Sequence, residues 1–261
     1  MLELEQLGMD TIDDDGATPL SLASRSGHMD VVKLLLNANA NIEAADNIYG
    51  HTLFSWAAAN GHLDVVKLLL NANANLETVD KNGRTPLSWT AMNGHVDVVK
   101  LMLNANANIE TADKYGRTPL SWASRNGHVD VVKLLLNANA NIEAADNKYR
   151  QTPLSWASRN GHVDVVKLLL NANANIEAAD NIYGRTPLSW ASRNGHMDVG
   201  NLLLNANANI ETADKSGRTP LSWAAMNGHV DVVKLLLNAN ANIETPDKSG
   251  RTPLGWFKMA D

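Results

Sequence analysis

The sequence contains no cysteine, which removes disulfides, thiolate metal sites and cysteine nucleophiles together. It has no Asn-x-Ser/Thr acceptor, its opening residues MLELEQLGMDTIDDD lack the basic start and apolar run of a leader, and no segment approaches the apolar length of a membrane span. These absences predict an intracellular protein, cytoplasmic or nuclear, with no membrane partner. Positive charge is in short supply as well: 22 Lys and Arg stand against 28 Asp and Glu, for a formal net charge of -6. A protein that neutralises phosphates usually shows the opposite balance or a dense basic stripe, so nucleic acid is disfavoured as a partner. Catalytic signatures are missing too, with no GxSxG, no phosphate loop and no glycine-rich dinucleotide motif. What is present is 44% apolar residues, enough for a large buried core.

The apolar residues are laid out periodically. Thr18, Thr52, Thr85, Thr118, Thr152, Thr186, Thr219 and Thr252 are separated by 34, 33, 33, 34, 34, 33 and 33 residues. The rest of the sequence moves with them, one unit reading DKYGRTPLSWASRNGHVDVVKLLLNANANIEAA from Asp113 to Ala145. A period in this range is the mark of a stacked array rather than a closed globule.

Each unit explains its own local structure. Thr118-Pro119 and its equivalents put a capping hydroxyl before a proline at the first helical position, where a missing N–H costs nothing. The short helix that starts there is expected to stop at Asn126-Gly127. A second helix is predicted from about Asp130 to Asn137, with Asp130, Lys133 and Asn137 on one polar stripe and Val131, Val132, Leu134, Leu135 and Leu136 elsewhere. A helix wet along one edge only must be sandwiched between neighbouring layers. Asn39, Asn73, Asn106, Asn139, Asn173, Asn207 and Asn240 stand where the second helix must end, asparagine being second to glycine in the left-handed conformation. The stretch IEAAD with the following turn reads as an extended hairpin leading to the next unit.

The TPL tripeptide, the later Gly-His and the leucine run closing the second helix resemble the ankyrin repeat over nearly the whole chain. The resemblance implies an all-α ankyrin-repeat solenoid of stacked helix-turn-helix units with short β-hairpin loops. It also implies an organisation of 1–12 as the remnant of a preceding unit, 13–246 as seven repeats, and 247–261 as a partial eighth whose Trp256 and Phe257 lack a covering second helix. Ser121 replaces the family's usual histidine, and Trp122 a commoner leucine. This TPLSW spelling with RNGH is similar to ankyrin arrays of filamentous fungi, often found at the end of large multidomain receptors.

Histidines occupy the Gly-His column from His28 to His229, and tryptophans another from Trp56 to Trp256. Packed helices stand about 8 to 10 Å apart whereas the ligands of one ion converge within about 2 Å of it, so a histidine column closes no metal site. It reads instead as structural bonding to loop backbone. The tryptophans fall three residues after the proline of each first helix and read as core, with the alternative of a stacking ladder for bases or sugars. Carboxylates and hydroxyls recur in nearly every unit, so no singular catalytic place exists, and neither enzyme activity nor a cofactor is expected.

Variation between units gathers in three columns: the loop tip, the residue after the turn glycine, and the end of the first helix. The resemblance implies that these columns face a concave groove and its fingertips. The candidate partner-binding residues are Tyr115, Tyr149 and Tyr183 at the tips; Arg84, Arg117, Gln151, Arg185 and Arg218 after the turn; and Met92, Arg125, Arg159, Arg193 and Met226 at the helix ends. Tyrosine, arginine and methionine are enriched in interface cores. The function predicted is a non-catalytic protein–protein interaction module for a partner with acidic segments, with self-association through the exposed C-terminal end as a further expectation. Part of the arginine charge is alternatively spent on Glu110, Glu143 and their equivalents. The runner-up is a structural spacer or scaffold segment of a larger, fungal receptor-type protein.

Overall fold

A computed structural model describes residues 11–257. The expected N-terminal remnant, apart from Thr11 and Ile12, and the last four residues of the expected eighth unit lie outside the described residues. The chain divides into two compact units. One comprises the residues up to Pro119 together with Asn137–Ala140, and the other Leu120–Leu136 with the residues from Asn141 onward.

The first unit contains α1 (Pro19–Arg25), α2 (Met29–Asn37), α3 (Leu53–Ala59), α4 (Leu63–Asn71), α5 (Pro86–Asn93) and α6 (Val96–Asn104). Each odd helix packs on the even helix that follows it. The odd helices form one row, α1 on α3 on α5, and the even helices a second row, α2 on α4 on α6. The second unit contains α7 (Pro119–Asn126) and α8 (Val129–Asn137), except for Pro119 and Asn137 themselves, then α9 (Pro153–Asn160), α10 (Val163–Asn171), α11 (Pro187–Asn194), α12 (Met197–Asn205), α13 (Pro220–Met226), α14 (Val230–Asn238) and α15 (Pro253–Phe257). Its rows run α9, α11, α13, α15 and α10, α12, α14.

The helices begin and end where the local chemistry dictates. Thr18, Thr52, Thr85, Thr152, Thr186 and Thr219 each accept, through Oγ1, the N–H of the serine three residues on, at 3.2 to 3.3 Å. Such a cap contributes about 1 kcal/mol. The seven asparagines that follow the second helices all adopt the left-handed conformation, with φ between 59 and 64°. Between the helices the core is made of leucines from the first helices, such as Leu87, Leu154 and Leu188, and of Val-Val-x-x-Leu triplets from α4, α8, α10 and α14, such as Val165, Val166 and Leu169, while α6 supplies Met102 in the leucine's place, α12 Gly200 in a valine's, and α2 Val32 alone. On α8 the polar stripe is closed by Lys133 Nζ donating to Asp130 Oδ1 at 3.2 Å.

The glycines of the Gly-His pairs at Gly27, Gly61, Gly127, Gly161 and Gly195 are fixed twice over, by a positive φ and by the histidine ring of the next layer. Gly161 has φ of 79°, and a Cβ there would lie 2.6 Å from Nδ1 of His196 in the next layer.

The expected β-hairpins are absent. Among the described residues there is a single isolated antiparallel bridge, Ala45 with Thr52, and no strand. The reason is that an aspartate side chain, not a neighbouring strand, satisfies the loop backbone. Asp80 Oδ1 accepts the N–H groups of Asn82 and Arg84 at 2.7 and 2.9 Å, and Asp214 Oδ1 those of Ser216 and Arg218 at 2.8 and 3.0 Å. Successive loop tips are tied by one backbone bond, for example Lys81 N to Tyr49 O at 2.9 Å and Lys215 N to Tyr183 O at 2.8 Å. One bond per junction makes a stack of turns, whereas a ladder needs alternating pairs along both chains. The fold is therefore all-α, in stacked helix-turn-helix layers joined by aspartate-organised turns.

Candidate interaction surface

Within each unit the variable columns meet on one side of the first helices, where arginine stands beside tryptophan. In the second unit Arg125 lies 5.4 Å from the Trp122 ring and 4.8 Å from Trp156. Arg159 lies 5.4 Å from Trp156 and 4.5 Å from Trp190, and Arg193 lies 5.7 Å from Trp190 and 5.1 Å from Trp223. Each helix-end arginine thus bridges its own tryptophan and the next, in range of cation–π attraction. The first unit begins the same pattern with Arg25 over Trp56 at 4.4 Å. The tryptophans of the second unit are buried at Trp122, Trp156, Trp190 and Trp223. Stacking under arginine, as well as core packing, is what buries them, and nothing in the sequence pattern revealed that arrangement.

The column after the turn glycine splits in two. Arg117 and Arg218 stay half-buried and pair with the aspartate of their own loop, Arg117 with Asp113 at 3.1 Å and Arg218 with Asp214 at 3.4 Å. Arg84 lies 4.0 Å from Asp113 and 4.5 Å from the Trp89 ring. His51, Gln151 and Arg185, by contrast, are only 3, 0 and 4% exposed. These three follow the loops that are one residue longer. The extra residue leaves the loop aspartate bonding their backbone N–H, at 3.0 to 3.2 Å, and turns the side chain inward. The irregular threonine spacing was the signal that could have located them. Burial, with Arg193 adding repulsion, pulls the Arg185 guanidinium down to about 10.

At the tips Tyr115 and Tyr183 are exposed and Tyr149 is half-buried, each turned so that its ring lies against a cation: Arg117, Arg185 and Lys148 at 4.6, 4.1 and 5.0 Å. Met226 is exposed and Met92 half-buried. The structure therefore leaves Tyr115, Tyr183, Met226 and the edges of Arg125, Arg159 and Arg193 accessible, while Gln151 and Arg185 lie beneath them.

Sequence reasoning passed over two features of the loops. One is the buried aspartate column itself, Asp46, Asp80, Asp113, Asp146, Asp180, Asp214 and Asp247. The other is Arg150, which occupies the turn-glycine position with φ of 57°.

The remaining polar columns are structural. His62, His95, His162, His196 and His229 each donate from Nε2 to a carbonyl at the end of the preceding first helix, at 2.9 to 3.0 Å. The glutamates accept backbone N–H groups of the next loop, as Glu143 does from Asn175 and Glu177 from Asn209, both at 2.7 Å. Among the described residues no three or more His, Asp or Glu side chains are placed to hold a metal ion. None of the described helices is long and apolar enough to cross a membrane.

No curated protein matches the chain. A family model described as "Ankyrin repeats (3 copies)" matches residues 2–80, 54–146, 143–214 and 205–256. Domains of that kind are non-catalytic scaffolds whose typical role is protein–protein interaction. With helix-turn-helix layers in both units and matches along nearly its whole length, the chain belongs to the ankyrin-repeat family.

Proposed function

We propose that the face carrying the arginine–tryptophan stack and the loop tips recognises a partner protein presenting acidic segments. The residues assigned to contact are, in the second unit, Arg125, Tyr149, Arg159, Tyr183, Arg193 and Met226, flanked by Arg218, and in the first unit Met92 and Tyr115, flanked by Arg84 and Arg117. Gln151 and Arg185 support those of the second unit from beneath. The observation that carries this reading is that Arg159 and Arg193 are half-exposed and make no ion pair among the described residues, yet are held over tryptophan rings. A pre-positioned guanidinium loses little side-chain entropy on meeting a carboxylate, and it offers a planar two-pronged donor. Binding should weaken as ionic strength rises, and Arg125, Arg159 and Arg193 changed together to alanine should cost at least about tenfold in affinity for an acidic peptide. Binding indifferent to both changes would favour the spacer reading, in which near-identical layers set a length.

A specific observation favours a second contact. Val230, Leu237 and Leu254 of the last layers are 57, 41 and 41% exposed, an apolar edge suited to self-association or to a following segment. Concentration-dependent sedimentation, abolished by Val230→Lys, tests the first of these. The TPLSW spelling further supports a place in a larger receptor-type protein of fungal kind.

A further inference from the structure

The two longer loops of the second unit, Asp146 to Thr152 and Asp180 to Thr186, follow one another directly, and four buried donors beside them have no acceptor. In the shorter loop, Asp214 keeps Oδ2 for the indole N–H of Trp223, at 3.2 Å. In the longer loops Oδ2 of Asp146 and of Asp180 is taken by the backbone N–H of Gln151 and of Arg185, both at 3.2 Å. The indole N–H groups of Trp156 and Trp190 have no acceptor, and neither do Nε2 of Gln151 and Nε of Arg185, whereas in the longer loop of the first unit Asp46 Oδ2 accepts both the His51 backbone N–H and the Trp56 indole. Trp156, Trp190, Gln151 and Arg185 are 7, 2, 0 and 4% exposed in that order. These four groups are donors, and the buried hydroxyls of Ser158 and Ser192 on the same helices as the two tryptophans, which can also donate, are unmatched too. Buried polar groups are ordinarily partnered, and a set lacking only acceptors calls for an anion.

The surrounding charge agrees. The Trp190 ring lies between Arg159 at 4.5 Å and Arg185 at 4.6 Å, with Arg193 at 5.7 Å. Asp180 and Asp214 attract Arg185, while Arg193 and Arg218 repel it. Those two aspartates are already committed to backbone, indole and Arg218 donors. Two fixed negative charges alongside favour a singly charged, planar acceptor over a doubly charged one. The Arg159 guanidinium lies over the Trp156 and Trp190 rings and meets Gln151 Oε1 at a long 3.5 Å.

We propose that this stretch binds the carboxylates of an acidic peptide, with Arg159 and Arg193 making first contact and each layer receiving its own carboxylate, one on the N–H groups of Gln151 and Trp156 and the next on those of Arg185 and Trp190. It rests on the reading of this face as a recognition surface for an acidic partner. The test is to titrate the ¹⁵N-labelled chain with acetylated hexaglutamate at low salt while following the indole N–H signals. Those of Trp156 and Trp190 should shift along one saturation curve, while those of Trp89 and Trp223, bonded to Asp80 and Asp214, hold still. Gln151→Leu should weaken the peptide at least about fivefold, since it removes a hydrogen bond to a charged group. Unchanged Trp89 and Trp223 signals in that variant verify its fold. If the peptide binds with salt dependence but leaves Trp156 and Trp190 unmoved, or binds Gln151→Leu equally well, the site is overturned and the broader recognition stands. Failure of the peptide to bind at all sinks both. Equal shifts from inorganic phosphate at matched concentration and ionic strength overturn the carboxylate assignment.

Discussion

Helix α12 departs from its counterparts at two adjacent positions, Gly200 and Asn201, where α10 and α14 carry valine and lysine. Gly200 is buried, between Val199 and Leu203 on the same core face. A Cβ added there would meet one neighbouring atom within 4 Å, Cδ2 of Leu235 at 3.2 Å. That atom is the tip of a half-buried side chain, free to turn aside. Gly200→Ala should gain about 0.8 to 1.0 kcal/mol in helix propensity and about 0.8 kcal/mol from one more buried carbon. Against this stands about 0.5 to 1.5 kcal/mol if Leu235 is pushed off its rotamer. The net expectation is a stabilisation of about 1 kcal/mol by these three quantities. Gly200→Val should do at least as well, because the preceding layer already holds valine and leucine at the corresponding places, Val166 and Leu202. Stability in a stacked array is a sum of layer and nearest-neighbour contributions, so the weak layer is visible locally even when the global transition is broad. Hydrogen exchange is the assay: amides from Val199 to Leu204 should exchange sooner than those from Val131 to Leu136, and Gly200→Ala should slow them about fivefold, the equivalent of 1 kcal/mol. Equal protection in the two helices of the parent chain, or no slowing in the variant, would refute the reasoning and show a core that has closed over Gly200 without cost.

Arg150→Gly should stabilise the chain by about 1 kcal/mol, measured by chemical denaturation, because a non-glycine residue is held at φ of 57° there. Gly161→Ala should destabilise by about 2 to 3 kcal/mol, combining left-handed strain with displacement of the His196 ring and its bond to Arg159 O. Asp214→Ala should cost about 3 kcal/mol and release the Trp223 indole N–H, visible as an upfield shift of its proton signal, since it removes the acceptor for two backbone N–H groups and the indole. For pH, burial of His51 is the main cause holding its pKa below 6.5, against the attraction of Asp46 and Asp80. The unfolded chain therefore takes up this proton first: the His51 contribution is complete above 6.5 and is lost as pH falls through the lowered folded value. Thermal midpoints measured from pH 7.5 to 5.5 should fall less steeply in His51→Gln, the residue that Gln151 already supplies at the corresponding place, than in the parent.

The sequence by itself determined every feature that depends on a few neighbouring residues. The threonine caps, the left-handed asparagines and the Val-Val-x-x-Leu faces were legible because each is a local bargain between one side chain and the backbone next to it, repeated often enough to be unmistakable. The tertiary structure decided what depends on a residue's surroundings in the adjacent layer. A loop read as a hairpin became a turn because Asp80 and its equivalents reached back to the N–H groups that a strand would otherwise have bonded. Arginines read as a free surface column became stacking partners because a tryptophan from the following layer lay within reach of each guanidinium. Arg218 and Arg185 occupy the same column in nearly the same words of sequence, yet one is half-buried against Asp214 and the other buried among Trp190, Trp223 and Arg193. One inserted residue separates them. It moves the backbone N–H from one oxygen of the loop aspartate to the other and turns the side chain toward the neighbouring layer, where it meets Trp223, 38 residues on in the chain.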